Sequence, residues 1–530
     1  MIAEPQVPPS TSDQSRPKRP RAPGSPLLPA VAATGASAGL LTLAAPPFEQ
    51  AWLGWLALAP LFWALAGAAE APGGKGILRA AGLGFLHGFL YLLFLVPWFA
   101  AFTPAGYPAA AAYWGFLSAL LFGGAAWVLR RSPAPLAPAV LAAGWVVLEW
   151  LRAQGVLAFP WGTLAATQYR TLPVLQMLDL TGAYGLSFLM ALASAALAFL
   201  ARPASRSLAL RWGAAVAALA LLATARGAWI LSRPVSGPMV RAGVVQASES
   251  RQTEGAAVEC VSPFEEYEAR TRELLRQRPE LVAWPETACV ADVVNSPMVR
   301  SRLFDLLGRS DAHLLTGSFV VDPPSGQTTN SAAMVSPRGR ILGQYAKVLI
   351  VPFGEYLPAR PLLSWTTRLG MPESDLKGGT RFAPLSWARG SVGVSICFES
   401  AFGEVSRRMV REGANLLAVL TSDGWAGRTT AGRQHAAFAP LRAVEQRRSL
   451  ARAAATGVSQ LLDPYGRPLR SLPMFEKGVL VADLPLRTER TLYSYLGDWP
   501  VLLAWIVLLA PPLSRLQRRV RPGRRNTATG

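Results

Sequence analysis

Eight stretches of the chain are nearly free of charge and long enough to be read as membrane helices: 27–45, 50–69, 80–103, 108–129, 136–151, 180–201, 208–231 and 496–513. A spanning helix needs about 20 mostly apolar residues. The fifth run is short and the first is rich in Ala and Gly, so the expected number is about eight. Between the seventh and eighth runs the pattern changes. Val240–Ala247, Leu281–Trp284, His313–Val320, Ser391–Ile396 and Ala414–Leu420 read as strands. Asn330–Val335 and Arg340–Tyr345, joined by Ser336-Pro337-Arg338-Gly339, read as a hairpin. Phe264–Gln277, Ser400–Glu412 and Gln434–Arg447 carry helical patterns, and Ser459–Leu462 and Leu469–Leu472 flank a second turn. Such alternation over residues 239–490 predicts one α/β domain with a core of its own.

Charge orients the runs. Lys and Arg gather in alternate gaps: Arg16, Lys18, Arg19 and Arg21 before the first, Lys75 and Arg79 after the second, and Arg130 and Arg131 after the fourth. Arg202, Arg206 and Arg211 follow the sixth, and Arg515, Arg518, Arg519, Arg521, Arg524 and Arg525 follow the eighth. Residues 46–50 and 103–107 hold none. By the positive-inside rule both termini face the cytoplasm and the α/β domain faces outward. A cleaved signal peptide is the competing reading of the first run, but cleavage would break the even count and invert the charge pattern. The expected division is a basic segment 1–26, a transmembrane part 27–232, an exported catalytic domain 233–492, a last helix 493–514 and a basic tail 515–530.

Composition narrows the classes. Of 530 residues 51% are hydrophobic and 16% charged, which excludes a mainly disordered chain. Three Cys make no disulfide framework, and in an exported domain at least one thiol stays free or pairs elsewhere. The net charge of +20 is accounted for by membrane insertion, so no nucleic-acid partner is implied. No glycine-rich phosphate loop is found. His87, Glu149, Arg152 and Asp179 lie in or beside the apolar runs, where an ionisable group is either functional or held in a structural pair.

Cys397 ends an apolar strand and precedes a helical pattern, a setting expected to lower a thiol pKa; Cys260 and Cys289 lack it. The competing reading of Cys397 is a small core residue. A thiol nucleophile needs a base and a partner for the oxyanion. His313 and His435 offer a Cys–His pair, but Glu286 and Lys347, each closing a strand, and Glu355 shortly after, suit the two tasks better.

Trp284-Pro285-Glu286, Tyr345-Ala346-Lys347 with Val351-Pro352-Phe353-Gly354-Glu355, and Ile396-Cys397-Phe398-Glu399 resemble, in that order, the Glu–Lys–Cys signature of the nitrilase (carbon–nitrogen hydrolase) superfamily. Glu149-Trp150-Leu151-Arg152, Phe159-Pro160-Trp161-Gly162, Gly182-Ala183-Tyr184-Gly185, Thr421-Ser422-Asp423-Gly424-Trp425 and Gln434-His435 resemble one membrane branch of it, the bacterial apolipoprotein N-acyltransferases. The resemblance implies a multi-span α-helical membrane domain carrying an α/β nitrilase-like αββα sandwich. It implies Cys397 as acyl-accepting nucleophile, Glu286 as general base and Lys347 as stabiliser of the tetrahedral intermediate, with Glu355 and Glu399 in support. Trp161, Trp425 and Phe398 match substrate-facing positions. The implied partners are a phospholipid acyl donor, a diacylated apolipoprotein acceptor and the lipid bilayer, with no metal or organic cofactor, at the bacterial inner membrane.

The chain departs from the family in four places. Phe398 stands where Tyr is usual, Ser422 and Ala455 where Asn is usual, and Gln246-Ala247-Ser248 where Gln-Gly-Asn is usual. Glu355 and Glu399 can also be read as structural partners, and Trp161 as an ordinary interface tryptophan. A membrane-anchored amidase acting on a small amide is the alternative activity, and a scaffold with an inactive domain is a third reading. The polar stretch Gly370–Gly379 reads as a mobile loop.

Overall fold

The computed structural model describes residues 27–101, 103–247, 250–251, 259–260, 264–289, 292–369 and 372–520. The basic segment 1–26, Ser248, Gly370 and the tail beyond 520 lie outside the described residues, as does the side chain of Cys260. Among the described residues, seven helices are long and apolar enough to cross a bilayer: Leu27–Ala44, Ala51–Glu70, Lys75–Leu95, Gly106–Leu129, Ala134–Leu151, Leu178–Leu200 and Pro203–Leu231. The eighth apolar run forms a shorter apolar stretch, Trp499–Pro511, at the start of a helix that continues to Val520.

The α/β part is two packed six-stranded sheets. The first has the order Gly478–Pro485, Met239–Gln246, Leu281–Ala283, His313–Val321, Thr328–Val335, Ile341–Ala346. The second has the order Pro468–Leu472, Ser459–Leu462, Leu450–Ala454, Leu416–Thr421, Gly390–Ile396, Leu385–Trp387. Each sheet has three parallel strands at its centre and antiparallel strands flanking them. Strand alternation does the sorting. Val240, Ala242 and Val244 point at the second sheet, meeting Val392, Val394 and Leu417, while Val245 and Val282 point outward with Trp284 onto the helices Phe264–Leu275 and Pro297–Leu307. Helices Gly403–Arg411 and Phe438–Gln446 belong to the other outer layer.

That second helix layer lies against the membrane helices. Phe438, Leu441 and Val444 are buried in one apolar cluster with Trp161, Leu178 and Leu186. Asp179 takes two hydrogen bonds from Arg226 (3.0 and 2.8 Å) and another from Arg447 (2.8 Å) of the α/β domain, so it is a structural pair across the joint. Glu149 accepts from Trp145 Nε1 (2.7 Å) and from the Leu164 amide (2.8 Å), and His87 contacts Ser37. Arg152 lays its guanidinium over Trp114, 4.2 Å from the ring centre.

The helix Leu178–Leu200 is broken at Gly182, where φ is +61°. The break turns the Ala183 amide toward Glu445 Oε1, 3.2 Å away in the α/β domain. A Cβ on residue 182 would stand 2.4 Å from the Tyr493 ring. Gly182→Ala is therefore expected to lower stability by at least the ~1–3 kcal/mol of a left-handed non-glycine residue, read as a depressed melting temperature in detergent. Wild-type melting would contradict this role for the break.

Candidate active site

Strand ends of both sheets converge on one buried cluster. Glu286 follows Leu281–Ala283, Lys347 follows Ile341–Ala346, and Asn330 sits within Thr328–Val335; Cys397 follows Gly390–Ile396 in the opposite sheet. Lys347 is 1% exposed, and Glu286 and Cys397 are 8% exposed. The Lys347 ammonium donates to Glu355 Oε1 (2.8 Å) and stands 3.7 Å from Glu286 Oε1. Asn330 Nδ2 bridges the two carboxylates, donating to Glu286 at 2.8 Å and Glu355 at 3.0 Å. The other oxygen of each is also held: Glu286 Oε2 accepts the Ser422 amide (3.0 Å) and Glu355 Oε2 the Val351 amide (2.7 Å). The Ser422 contact is made by backbone, so serine in place of the family's asparagine leaves it intact.

Burial lowers the Lys347 pKa, but Glu355 and then Glu286 more than offset that and hold it above the ordinary lysine value. It remains an ammonium. Burial, and after it the Glu286 charge, push the Cys397 thiol well above its usual range, against the pull of Lys347. This reverses the expectation of a thiol activated by a helix terminus. Cys397 opens only a five-residue 3-10 turn, Cys397–Ala401, and the α-helix begins later, at Gly403. A neutral resting thiol needs a base at the moment of attack.

Glu399 does not face this cluster with a free oxygen. Its Oε1 accepts the Tyr345 hydroxyl and the Val348 amide (both 2.8 Å) and the Leu349 amide (3.2 Å), and its Oε2 accepts the Ile396 amide (2.8 Å). It ties the segment after Lys347 to the strand before Cys397. Residues 372–379 are likewise fastened: Leu376 and Gly379 donate backbone hydrogen bonds to the Glu355 and Lys347 carbonyls (2.9 and 2.7 Å). Asp375 ion-pairs with Arg360 and accepts the Leu357 amide (2.8 Å).

Beside the thiol an aromatic wall runs into the membrane half. Phe398 stacks on Phe159 (6.3 Å between centres, 14° between planes), and Phe159 on Trp161 (5.2 Å, 5°). Trp98 meets both Trp161 (5.8 Å) and Trp425 (5.4 Å) edge to face. Trp161 is buried rather than lipid-facing. The proposed Cys–His pairing is not what the geometry holds. His435 Nε2 lies 3.0 Å from the Cys397 carbonyl oxygen, and His313 packs on Trp387.

Asn330 is the participant that sequence reasoning missed. Its signal was an asparagine inside a strand, Thr328–Val335, a residue type that β-propensity disfavours. Asp423 is the other. It takes hydrogen bonds from Thr421 (2.9 Å) and Arg452 (2.6 Å) and pairs with His435 (2.6 Å).

A two-sheet sandwich with a strand-end thiol beside a buried glutamate and lysine defines a carbon–nitrogen hydrolase, here built onto a helical membrane domain. Residues 241–493 match the carbon-nitrogen hydrolase family model, and residues 37–196 match the apolipoprotein N-acyltransferase N-terminal domain. The chain is 33% identical to an apolipoprotein N-acyltransferase of Geobacter metallireducens over 88% of its length and 91% of that protein's. It is 32% identical to one of Gloeobacter violaceus, over 92% and 94%. A nitrilase-superfamily protein of Saccharomyces cerevisiae superposes with a TM-score of 0.38 at 18% identity, covering 48% of this chain and 92% of that one. The protein belongs to the apolipoprotein N-acyltransferase family.

His435 and then Arg452 hold the Asp423 carboxyl down at about pH 2, against the larger opposing effect of burial. A depressed folded pKa contributes stability that is complete above the unfolded value near 4 and is lost as pH falls toward 2. Thermal unfolding from pH 5 to 2 is expected to show an acid-sensitive limb that Asp423→Asn flattens. An identical limb in that variant would contradict the assignment.

Proposed function

We propose that the protein moves a fatty acyl chain from a membrane phospholipid, through a thioester on Cys397, to the α-amino group of the N-terminal diacylglyceryl-cysteine of an apolipoprotein. The observation that carries this reading is the continuity of a buried thiol–carboxylate–ammonium cluster with an aromatic wall that runs from Phe398 to Phe159 and Trp161 of the membrane half. A site so built receives lipid substrates sideways from the bilayer. In the first half-reaction Glu286 takes the thiol proton as sulfur attacks the ester carbonyl. Lys347 and its neighbours stabilise the oxyanion, and Glu286 returns the proton to the leaving oxygen as lysophospholipid departs. In the second, the acceptor amine attacks the thioester, Glu286 receives its proton, and sulfur leaves to be reprotonated. Glu355 keeps the ammonium in place, and Glu399 holds the strand ends at their spacing. Phe398, Trp161 and Trp425 line the way for the acyl chains.

The charge pattern supports an inner-membrane protein with the catalytic domain on the periplasmic side, where lipoproteins mature. Acylation is read by intact-protein mass spectrometry after incubation with phospholipid in micelles. The wild type is expected to gain one fatty-acyl mass and Cys397→Ala none. Glu286→Gln is expected to slow the gain by about 10²–10⁴-fold, the usual worth of a general base. A folded wild type that never acylates but hydrolyses small amides would sink the transferase reading in favour of the amidase.

A further inference from the structure

Behind the nucleophile lies a second buried polar group that the proposed chemistry does not use. His435, Asp423, Ser400 and Arg452 are each no more than 1% exposed. Cys397 has φ of +51°, a left-handed conformation that costs about 1–3 kcal/mol for a residue with a side chain and persists only when its surroundings hold it. What holds it is visible at its carbonyl. The Cys397 oxygen accepts the Ser400 hydroxyl (2.9 Å) and lies 3.0 Å from His435 Nε2.

Counting protons fixes the roles. Asp423 receives Thr421 and Arg452 as donors and is an acceptor toward His435, so Nδ1 of the imidazole carries a proton. Ser400 has a single hydroxyl proton, and its oxygen lies 2.9 Å from the Cys397 carbonyl and 2.8 Å from His435 Nε2. With Nε2 unprotonated, that proton can serve Nε2 or the carbonyl but not both, and the imidazole lone pair still stands 3.0 Å from the carbonyl oxygen. A proton on Nε2, shared between the Ser400 oxygen and the Cys397 carbonyl, leaves the hydroxyl proton for that carbonyl and satisfies every group. The neighbouring Gln434 extends the arrangement. Its Oε1 accepts the indole N–H groups of Trp98 (3.0 Å) and Trp161 (2.9 Å), and its Nε2 donates to the Pro46 and Leu95 carbonyls (3.2 and 2.8 Å). The Trp161 ring lies 5.6 Å from the His435 ring.

We propose that His435, oriented by Asp423, is a positioning residue for the acyl transfer: it donates to the Cys397 carbonyl, locks the left-handed turn that aims the thiol, and joins that turn through Gln434 to the tryptophans of the membrane half. The inference rests on Cys397 being the acyl acceptor. His435 acts through the backbone and exchanges no proton with the substrate.

Two polar replacements separate its two contacts. The amide of His435→Gln reaches where Nε2 stands and can donate to the Cys397 carbonyl. The amide of His435→Asn ends where Nδ1 stands, keeping Asp423 but leaving the carbonyl without its donor. Single-turnover thioester formation is measured across phosphatidylethanolamine concentrations in detergent, beside the melting temperature. His435→Asn is expected to lose about 10–100-fold in the maximal rate, the scale of a misplaced reacting group, with an unchanged half-saturating concentration. His435→Gln is expected to keep most of the rate. An asparagine variant as fast as wild type overturns the proposal, as do two variants that slow equally in step with their melting temperatures. If His435→Asn fails to fold, His435→Gln decides: folded but slowed as far as predicted for asparagine, it also overturns the proposal. A wild type that forms no thioester defeats the acyl-acceptor reading instead, so the two failures are told apart.

Discussion

An ammonium that is 1% exposed has to be paired, and Lys347 is where the two sheets meet that demand. Glu355 takes its hydrogen bond and Glu286 stands at ion-pair distance. Each carboxylate is then fixed from behind, by backbone amides of Val351 and Ser422 and by the bridging amide of Asn330. Glu286, Asn330 and Lys347 follow or lie in strands of one sheet, while Ser422 and Cys397 follow strands of the other. The cluster therefore exists only in the closed sandwich. It also has a chemical consequence: one fixed positive charge stays beside a thiol that burial keeps neutral until a base acts.

The membrane half is more than an anchor. The joint is sealed by apolar packing of Phe438 and Leu441 and by the Asp179 pair with Arg226 and Arg447. Next to it Gln434 gathers two tryptophans and two backbone carbonyls from the helical part. Buried amides and charges cost free energy unless every partner is present. So many satisfied groups at one seam fix the register of the two halves.

Much of this was legible in the sequence, for identifiable reasons. Apolar runs with Lys and Arg in alternate gaps are a strong signal, and the strand Gly390–Ile396 and the hairpin of Thr328–Val335 with Ile341–Ala346 announce themselves by alternation and a Pro/Gly turn. The second apolar run proved to be a 3-10 turn, Ala51–Trp55, followed by a helix from Ala59, because Pro60 suits a helix start and not an interior. Leu450–Ala454 was not foreseen. Arg452 at its centre breaks the apolar pattern, and only the fold shows that Asp423 neutralises it. Glu286, Lys347 and Cys397, which the structure brings into one cluster, could each be read as a strand-end residue, but Asn330 and the Asp423–His435 pair could not. Their roles come from meeting groups 12 to 44 residues away or from the direction of a carbonyl, and neither leaves a period in the sequence. The expected lowering of the Cys397 pKa failed because burial and the Glu286 charge, which no local pattern shows, push the thiol the other way, and a short 3-10 turn stands where an α-helix start was expected.

How the isolated acyl-enzyme partitions distinguishes transfer to an amine from hydrolysis. Enzyme acylated on Cys397 is freed of phospholipid and divided between buffer alone and buffer with a diacylglyceryl-cysteine peptide. The predicted result is a thioester that persists in buffer and passes its acyl group stoichiometrically to the peptide's α-amine. Loss of the acyl group to water at the same rate in both, with no acylated peptide, would contradict it.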